Sequence, residues 1–323
     1  MADDAAETAA ALRAAAETAI GECLGVTAGE AVAVVTDDER RRIGDLLYEV
    51  VAETTGEATL VRYPPGEQHG EEPPAPVAAA MAGADAFIAP TTKSLSHTRA
   101  RGDATAAGVR GATMPGITEA VMIAGLDADY GAIADACRAV YDQVAGAETV
   151  RVTTPAGTDV TVEPGDREWL QDTGMVHEPG AFSNLPAGEV FVSPETANGV
   201  YVVDGTMMPH GRLDHEIRFE VEDGFVTAVS DDAVRAELET AADAVGDAAY
   251  NLAELGIGTN VGVADLVGSV LLDEKAAGTV HFAVGDDESI GGDVEAPIHM
   301  DGILLEPTVY ADGEAVDLPA QAP

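Results

Sequence analysis

The chain has 323 residues, enough for one large domain or two ordinary ones, each with a substantial core. Apolar residues make up 46%, which excludes a disordered chain, and 58 acidic residues against 16 basic ones give a net charge of −42. A surface of that sign repels nucleic acid and anionic membrane alike, so neither is expected as a partner.

Lys93 and Lys275 are the lysines, and the other basic residues are arginines. Self-repulsion of such a chain is screened only in concentrated salt, where the Debye length falls to about 3 Å at 1 M. The composition resembles that of proteins from salt-accumulating halophilic archaea, and a loss of stability in dilute buffer is expected. The start, Met1-Ala2-Asp3-Asp4, is acidic and lacks the basic opening and apolar stretch of a signal peptide. No run of 18 apolar residues occurs, so a membrane span is not expected and a cytoplasmic location is. Cys23 continues the stripe Leu12, Ala16, Ile20, and both it and Cys137 read as core thiols rather than a disulfide.

In chain order, residues 5 to 24 space their larger apolar side chains as a helix does. Ala31 to Val35 reads as a buried strand. Thr36-Asp37-Asp38-Glu39 reads as a capping box ahead of a helix with Ile43, Leu46, Leu47, Val50 and Val51 on one face. A strand at Ala58 to Arg62, a helix around Pro76 to Ala82 and a strand at Asp85 to Ala89 continue the alternation, which predicts a parallel sheet flanked by helices. The first turn holds two acids and no Gly-x-Gly-x-x-Gly, so a dinucleotide is disfavoured as ligand. Between 92 and 118 the cations Lys93, Arg99, Arg101 and Arg110 gather with His97, either to receive a substrate carboxylate or to pair with the acidic surface. A helix over 130 to 146 closes a Rossmann-like domain, 1–148.

Beyond it the pattern changes to hairpins. Pro155-Ala156-Gly157, Asp223-Gly224 and Asp312-Gly313 are turn signals between strand-like runs, and helices are expected at Asp231 to Val245 and near Val263 to Leu272. The fold class is therefore α/β, with an N-terminal parallel-sheet domain and a C-terminal α+β domain, 149–323, rich in antiparallel hairpins.

The chemistry concentrates in that second half. His281 opens an apolar strand, and a second strand carries His299-Met300-Asp301, where residues two apart point the same way. Two imidazoles and a carboxylate are a common donor set for catalytic zinc and non-haem iron. Glu189, in Asn184-Leu185-Pro186-Ala187-Gly188-Glu189-Val190-Phe191, and Glu254, in Ala253-Glu254-Leu255-Gly256-Ile257-Gly258, place acids beside small residues, as close approach of an ion requires.

The order NLPAGEVF, AELGIGTN, HFAVG, IHMD resembles the aminopeptidase T family of metallopeptidases (thermophilic, leucyl aminopeptidase-like), well from about Arg151 onward and more loosely before it. The chain reads as a haloarchaeal-type member. The resemblance implies a dinuclear site of Glu189, Glu254, His281, His299 and Asp301 and a homodimer. The tyrosine that the peptidases place soon after the first histidine is missing here, where Asp287, Glu288 and Ser289 stand. The same superfamily contains a mononuclear iron dioxygenase that opens dihydroxypyridine rings and shares the two-histidine, one-aspartate part.

The expected activity is accordingly a metallo-aminopeptidase removing N-terminal residues from short peptides. Two divalent ions (Zn, Co or Mn) would activate a water, with Glu288 as base or amine ligand. The alternative is an Fe(II) dioxygenase holding one ion on His281, His299 and Asp301 and acting on a small chelating ring. His69, His177, His210 and His215 read as structural or exposed, Trp169 as core, and no Gly-x-Ser-x-Gly suggests a serine nucleophile.

Overall fold

The computed structural model describes residues 2–263 and 265–320. The chain divides into two compact units: residues up to Ala134 with Asp172–Ala187, and Asp135–Gln171 with Gly188 onward. The change of unit thus falls inside the helix Tyr130–Val144, and a later segment returns to the first unit, so a single cut near 148 does not describe the division. The reason is a short strand, Phe182–Asn184, which pairs with Arg110–Pro115 and completes the first unit's sheet. Nothing in its composition distinguishes it from the hairpins around it.

That sheet has five strands in the order Glu57–Tyr63, Ala31–Asp37, Ala86–Thr91, Arg110–Pro115 and Phe182–Asn184, all neighbours parallel. Ala31–Asp37 and Ala86–Thr91 are buried almost throughout, as strands covered by helices on both faces must be. The helix Arg41–Thr54 turns Ile43, Leu47, Val50 and Val51 inward, as its spacing predicts. The capping box does not form. The strand runs on to Asp37, whose carboxylate accepts from the backbone N–H of Glu39 and Arg40, while the Thr36 hydroxyl donates to the carbonyl of Pro90. Three of the four cations of 92–118 are taken up structurally: Arg110 pairs with Glu30 at 2.8 Å, Arg101 lies 4.5 Å over the Phe182 ring, and Arg99 faces Glu72.

The second unit carries two antiparallel sheets. One runs Phe225–Val229, Ile217–Glu222, Thr196–Val203, Asp159–Glu163, Val150–Thr153, Thr308–Ala311, Glu314–Ala315. In Ile217–Glu222 buried and exposed residues alternate strictly, the mark of a sheet with one wet face. Asp223-Gly224 and Asp312-Gly313 both take positive φ (49° and 84°, 48° and 86°), the turn chemistry their sequence predicts. The other sheet has Glu189–Val192, Leu252–Gly258, Val280–Gly285 and His299–Leu304 as consecutive central strands. Tyr201 joins the sheets, stacked on Phe219 at 4.5 Å and tilted against Phe282 at 4.9 Å. The helix Asp232–Val245 forms as expected, but the helix foreseen near Val263 to Leu272 shrinks to Val270–Asp273. Among the described residues no helix is long and apolar enough to cross a membrane.

Candidate metal centre

Sheet register alone brings the five predicted donors to one face of the second sheet. Glu254 and Asp301 both lie opposite Ala283 on the strand between them, His281 is two residues from Ala283, and His299 two from Asp301. Glu189 lies opposite Gly258, in step with Gly256 and Glu254. A bulge between Leu252 and Glu254 bends the strand where the acid must be aimed. The two glycines of that strand are obligatory for space. A Cβ on Gly258 would sit 2.1 Å from the carbonyl oxygen of Ala276, and one on Gly256 would meet the His281 ring.

The donors are close and dry. His281 Nε2 lies 3.2 Å from Glu254 Oε1 and 3.6 Å from Glu189 Oε2, while His299 Nε2 lies 3.4 Å from the other Glu254 oxygen and 3.3 Å from Asp301 Oδ1. Glu254 thus gives one oxygen to each imidazole. The His299 side chain is 33% exposed, whereas the other four are under 10%, so the cluster opens toward solvent on the His299 side. His299 Nδ1 donates to the Asp286 carbonyl at 2.7 Å, which fixes the ring and leaves Nε2 directed at the acids.

Two residues that the sequence did not flag complete the cluster. Glu274 can group with His281 and Asp301, as Glu189 can with Glu254 and His281, and Glu254 with His299 and Asp301. Lys275 places its Nζ 2.5 Å from Glu189 and 2.6 Å from Glu274. The one signal available was a lysine, rare in this chain, beside an acid shortly before His281. Glu288, by contrast, is exposed in the turn Glu288–Ile290 and is not among the grouped donors. His210, His215 and His177 face Glu237, Asp214 with Asp231, and the Glu22 carbonyl respectively.

A cation fits this arrangement on three counts. His281 Nε2 faces two carboxylates but carries at most one hydrogen, and Glu189 Oε2 and His281 Nδ1 are buried without a hydrogen-bond partner. Burial and crowding by other acids push Glu189 and Glu274 up in pKa in spite of Lys275. Burial would lower His281 and His299, yet the carboxylates outweigh it, taking His281 to about 9 and His299 well above its ordinary range. At Glu254, burial raises the pKa but the bonds to both imidazoles prevail and hold it below the carboxylate range. Acids that cling to protons beside imidazoles that do the same are short of positive charge, and a metal ion supplies it.

The family model described as NicX, 2,5-dihydroxypyridine 5,6-dioxygenase, matches residues 12–318. The chain belongs to that family. A curated 2,5-dihydroxypyridine 5,6-dioxygenase of Pseudomonas putida is 27% identical over 186 residues, a stretch covering 53% of either chain. The match thus spans about half the length of that relative. Among solved structures, the 2,5-dihydroxypyridine dioxygenase of Pseudomonas putida KT2440 superposes with a TM-score of 0.79 at 21% identity over 95% of both chains. Wild-type AmpT of Thermus thermophilus superposes at 0.67 and 20% identity, over 95% of this chain and 99% of that one. At these identities both likenesses show the fold. The family match overturns the expected metallo-aminopeptidase: the assignment is to an oxidoreductase family, and the peptidase resemblance is one of fold. The hydrolase reading goes, and with it the base role given to Glu288.

Proposed function

We propose that the protein is a non-haem iron dioxygenase that opens a dihydroxypyridine-type ring, using one Fe(II) held by His281, His299 and Asp301 with Glu254 between the imidazoles. The family match over residues 12–318 carries the reading. The buried set of imidazoles and carboxylates supports it, being the donor type that suits iron and leaves positions open.

When bound, the ion supplies the Lewis acidity and redox chemistry that bring oxygen and the ring together. The chain does the rest. The His299 side, the most exposed part of the cluster, is where a flat ring would enter, while the buried strands behind it keep water from the donors. The Asp286 carbonyl holds the His299 ring, so that Nε2 stays aimed at the centre as substrates come and go. Glu254 sets one oxygen toward each imidazole and so holds both rings in one orientation about the centre.

The test is oxygen uptake by protein purified in concentrated KCl and reconstituted anaerobically with Fe(II). With 2,5-dihydroxypyridine as substrate, one O2 should be consumed per ring lost, followed by the fall of the ring's ultraviolet absorbance. Ring loss without oxygen uptake, or neither, rejects the reading.

A further inference from the structure

Lys275 is 2% exposed, in a chain with one other lysine. A buried ammonium is costly unless paired, and this one is paired on two sides, by Glu189 Oε1 at 2.5 Å and Glu274 Oε1 at 2.6 Å. Both partners belong to the donor cluster. The second oxygen of Glu189 faces His281 Nε2 at 3.6 Å, and Glu274 can group with His281 and Asp301. The ammonium therefore does on one flank of the cluster what a second metal ion would do: it bridges two carboxylates and offsets their charge.

The backbone puts it there. Lys275 follows the one-turn helix Val270–Asp273, and its carbonyl accepts from the Asn260 N–H at 2.8 Å. Gly258 lets this segment lie directly on the strand that carries Glu254, since a Cβ there would come within 2.9 Å of the Lys275 carbonyl carbon. Asp273 pins the approach, its carboxylate accepting from the Thr206 hydroxyl and from the N–H groups of Val267 and Gly268.

Resting on the metal-centre reading above, we infer that Lys275 is a built-in cation that occupies the second-ion flank of the cluster and confines it to a single divalent ion. The cluster holds four carboxylates, Glu189, Glu254, Glu274 and Asp301, and the ammonium pairs with Glu189 and Glu274 among them. One divalent ion brings the cluster close to neutrality. A second would have to displace Lys275 from two short contacts in a site with little water to receive it. Lys275 is a positioning residue in this account: it decides how many ions the site holds, and hence which chemistry the donor set serves.

Mn2+ is the probe, added to metal-free full-length protein in concentrated KCl, with bound ion counted by equilibrium dialysis and its state read by electron paramagnetic resonance. The wild type should bind one Mn2+ per chain, with the resolved hyperfine pattern of an isolated ion. Lys275→Met and Lys275→Gln should each bind two, with the broadened signal of a coupled pair, and Lys275→Arg, which keeps the charge, should stay at one. Two ions in the wild type, or one in either folded neutral variant, overturn the inference while leaving the metal centre standing. No ion in the wild type rejects the metal centre itself, and the inference with it. Should neither neutral variant fold, the wild-type and Lys275→Arg counts still decide, since two ions in either refute it.

Discussion

Gly256 and His281 face each other across the paired strands so closely that a methyl group on Gly256 would sit 2.1 Å from the imidazole's Nε2 and Cε1. The ring therefore rests over a glycine because no other residue leaves it room. Gly256→Ala would tilt the ring away from Glu254 and Glu189, since backbone φ at this position needs nothing special and only the collision counts. Overpacking of this kind costs about 1–3 kcal/mol. Losing the ligand's orientation should weaken metal binding by about 10–100-fold. Mn2+ titration of the variant checks the second effect and urea unfolding the first; unchanged affinity would mean that His281 is not a ligand.

His299 offers a cleaner test because it is partly exposed near a strand end, where a change of side chain disturbs little packing. His299→Gln should destabilise the metal-free protein by about 1–3 kcal/mol, because Glu254 and Asp301 lose the imidazole between them. Wild type should gain roughly 2.7 kcal/mol when the ion is present at a hundred times its Kd. The variant should gain little, and its oxygen uptake should fall by more than the ~10–100-fold typical of residues that only support a ligand. Equal stabilisation of both proteins by the ion would place the metal elsewhere.

That Glu189, Glu254, His281, His299 and Asp301 would come together was legible because strand periodicity is local and their order along the chain carries the family resemblance. Glu274 and Lys275 were not, for a structural reason. The helix expected near Val263 to Leu272 ends before them and leaves their direction open, whereas the backbone folds around Asp273 and lays a turn over Gly258. The return of Phe182–Asn184 to the parallel sheet was equally hidden, since pairing with Arg110–Pro115 is a long-range event that leaves no local trace. The choice between hydrolase and oxygenase lay beyond the donors altogether. Imidazole and carboxylate serve both chemistries, and the missing tyrosine near Asp287 was the one residue-level hint against the peptidase.

Glu30 and Arg110 make a partly buried ion pair in the parallel-sheet unit, and acid should matter to it. Arg110, largely buried, holds the Glu30 carboxyl down to about 2 from 4.5, with the Thr27 N–H and hydroxyl helping against partial burial. A carboxyl lowered by folding contributes stability that is fully present above about 4.5, its unfolded value, and is lost as pH falls through about 2. Glu30→Gln should therefore destabilise by about 1–3 kcal/mol near neutrality, leaving Arg110 short of its charged partner. The difference from wild type should shrink between pH 4.5 and 2. Urea midpoints across that range measure it; a gap that stays constant would show that the pair does not titrate as described.

The net charge of −42 predicts that the folded protein depends on salt as a screening agent. The 16 lysines and arginines can pair with only a minority of the 58 acids, and the pairs that exist at the surface, such as Arg151 with Asp159, contribute little each. Raising KCl from about 0.1 to about 1 M shortens the Debye length from about 10 to 3 Å and removes repulsion between acids that are not in contact. A gain of several kcal/mol corresponds to a Tm rise of roughly 10 °C or more, at about 2–4 °C per kcal/mol for units of this size. Screening depends on ionic strength, so KCl and NaCl should act alike and most of the effect should come at the low end. If instead stability keeps climbing in proportion to salt and sulfate far exceeds chloride, exclusion of the salt from apolar surface is the cause, and the acidic surface is not what makes the protein salt-dependent.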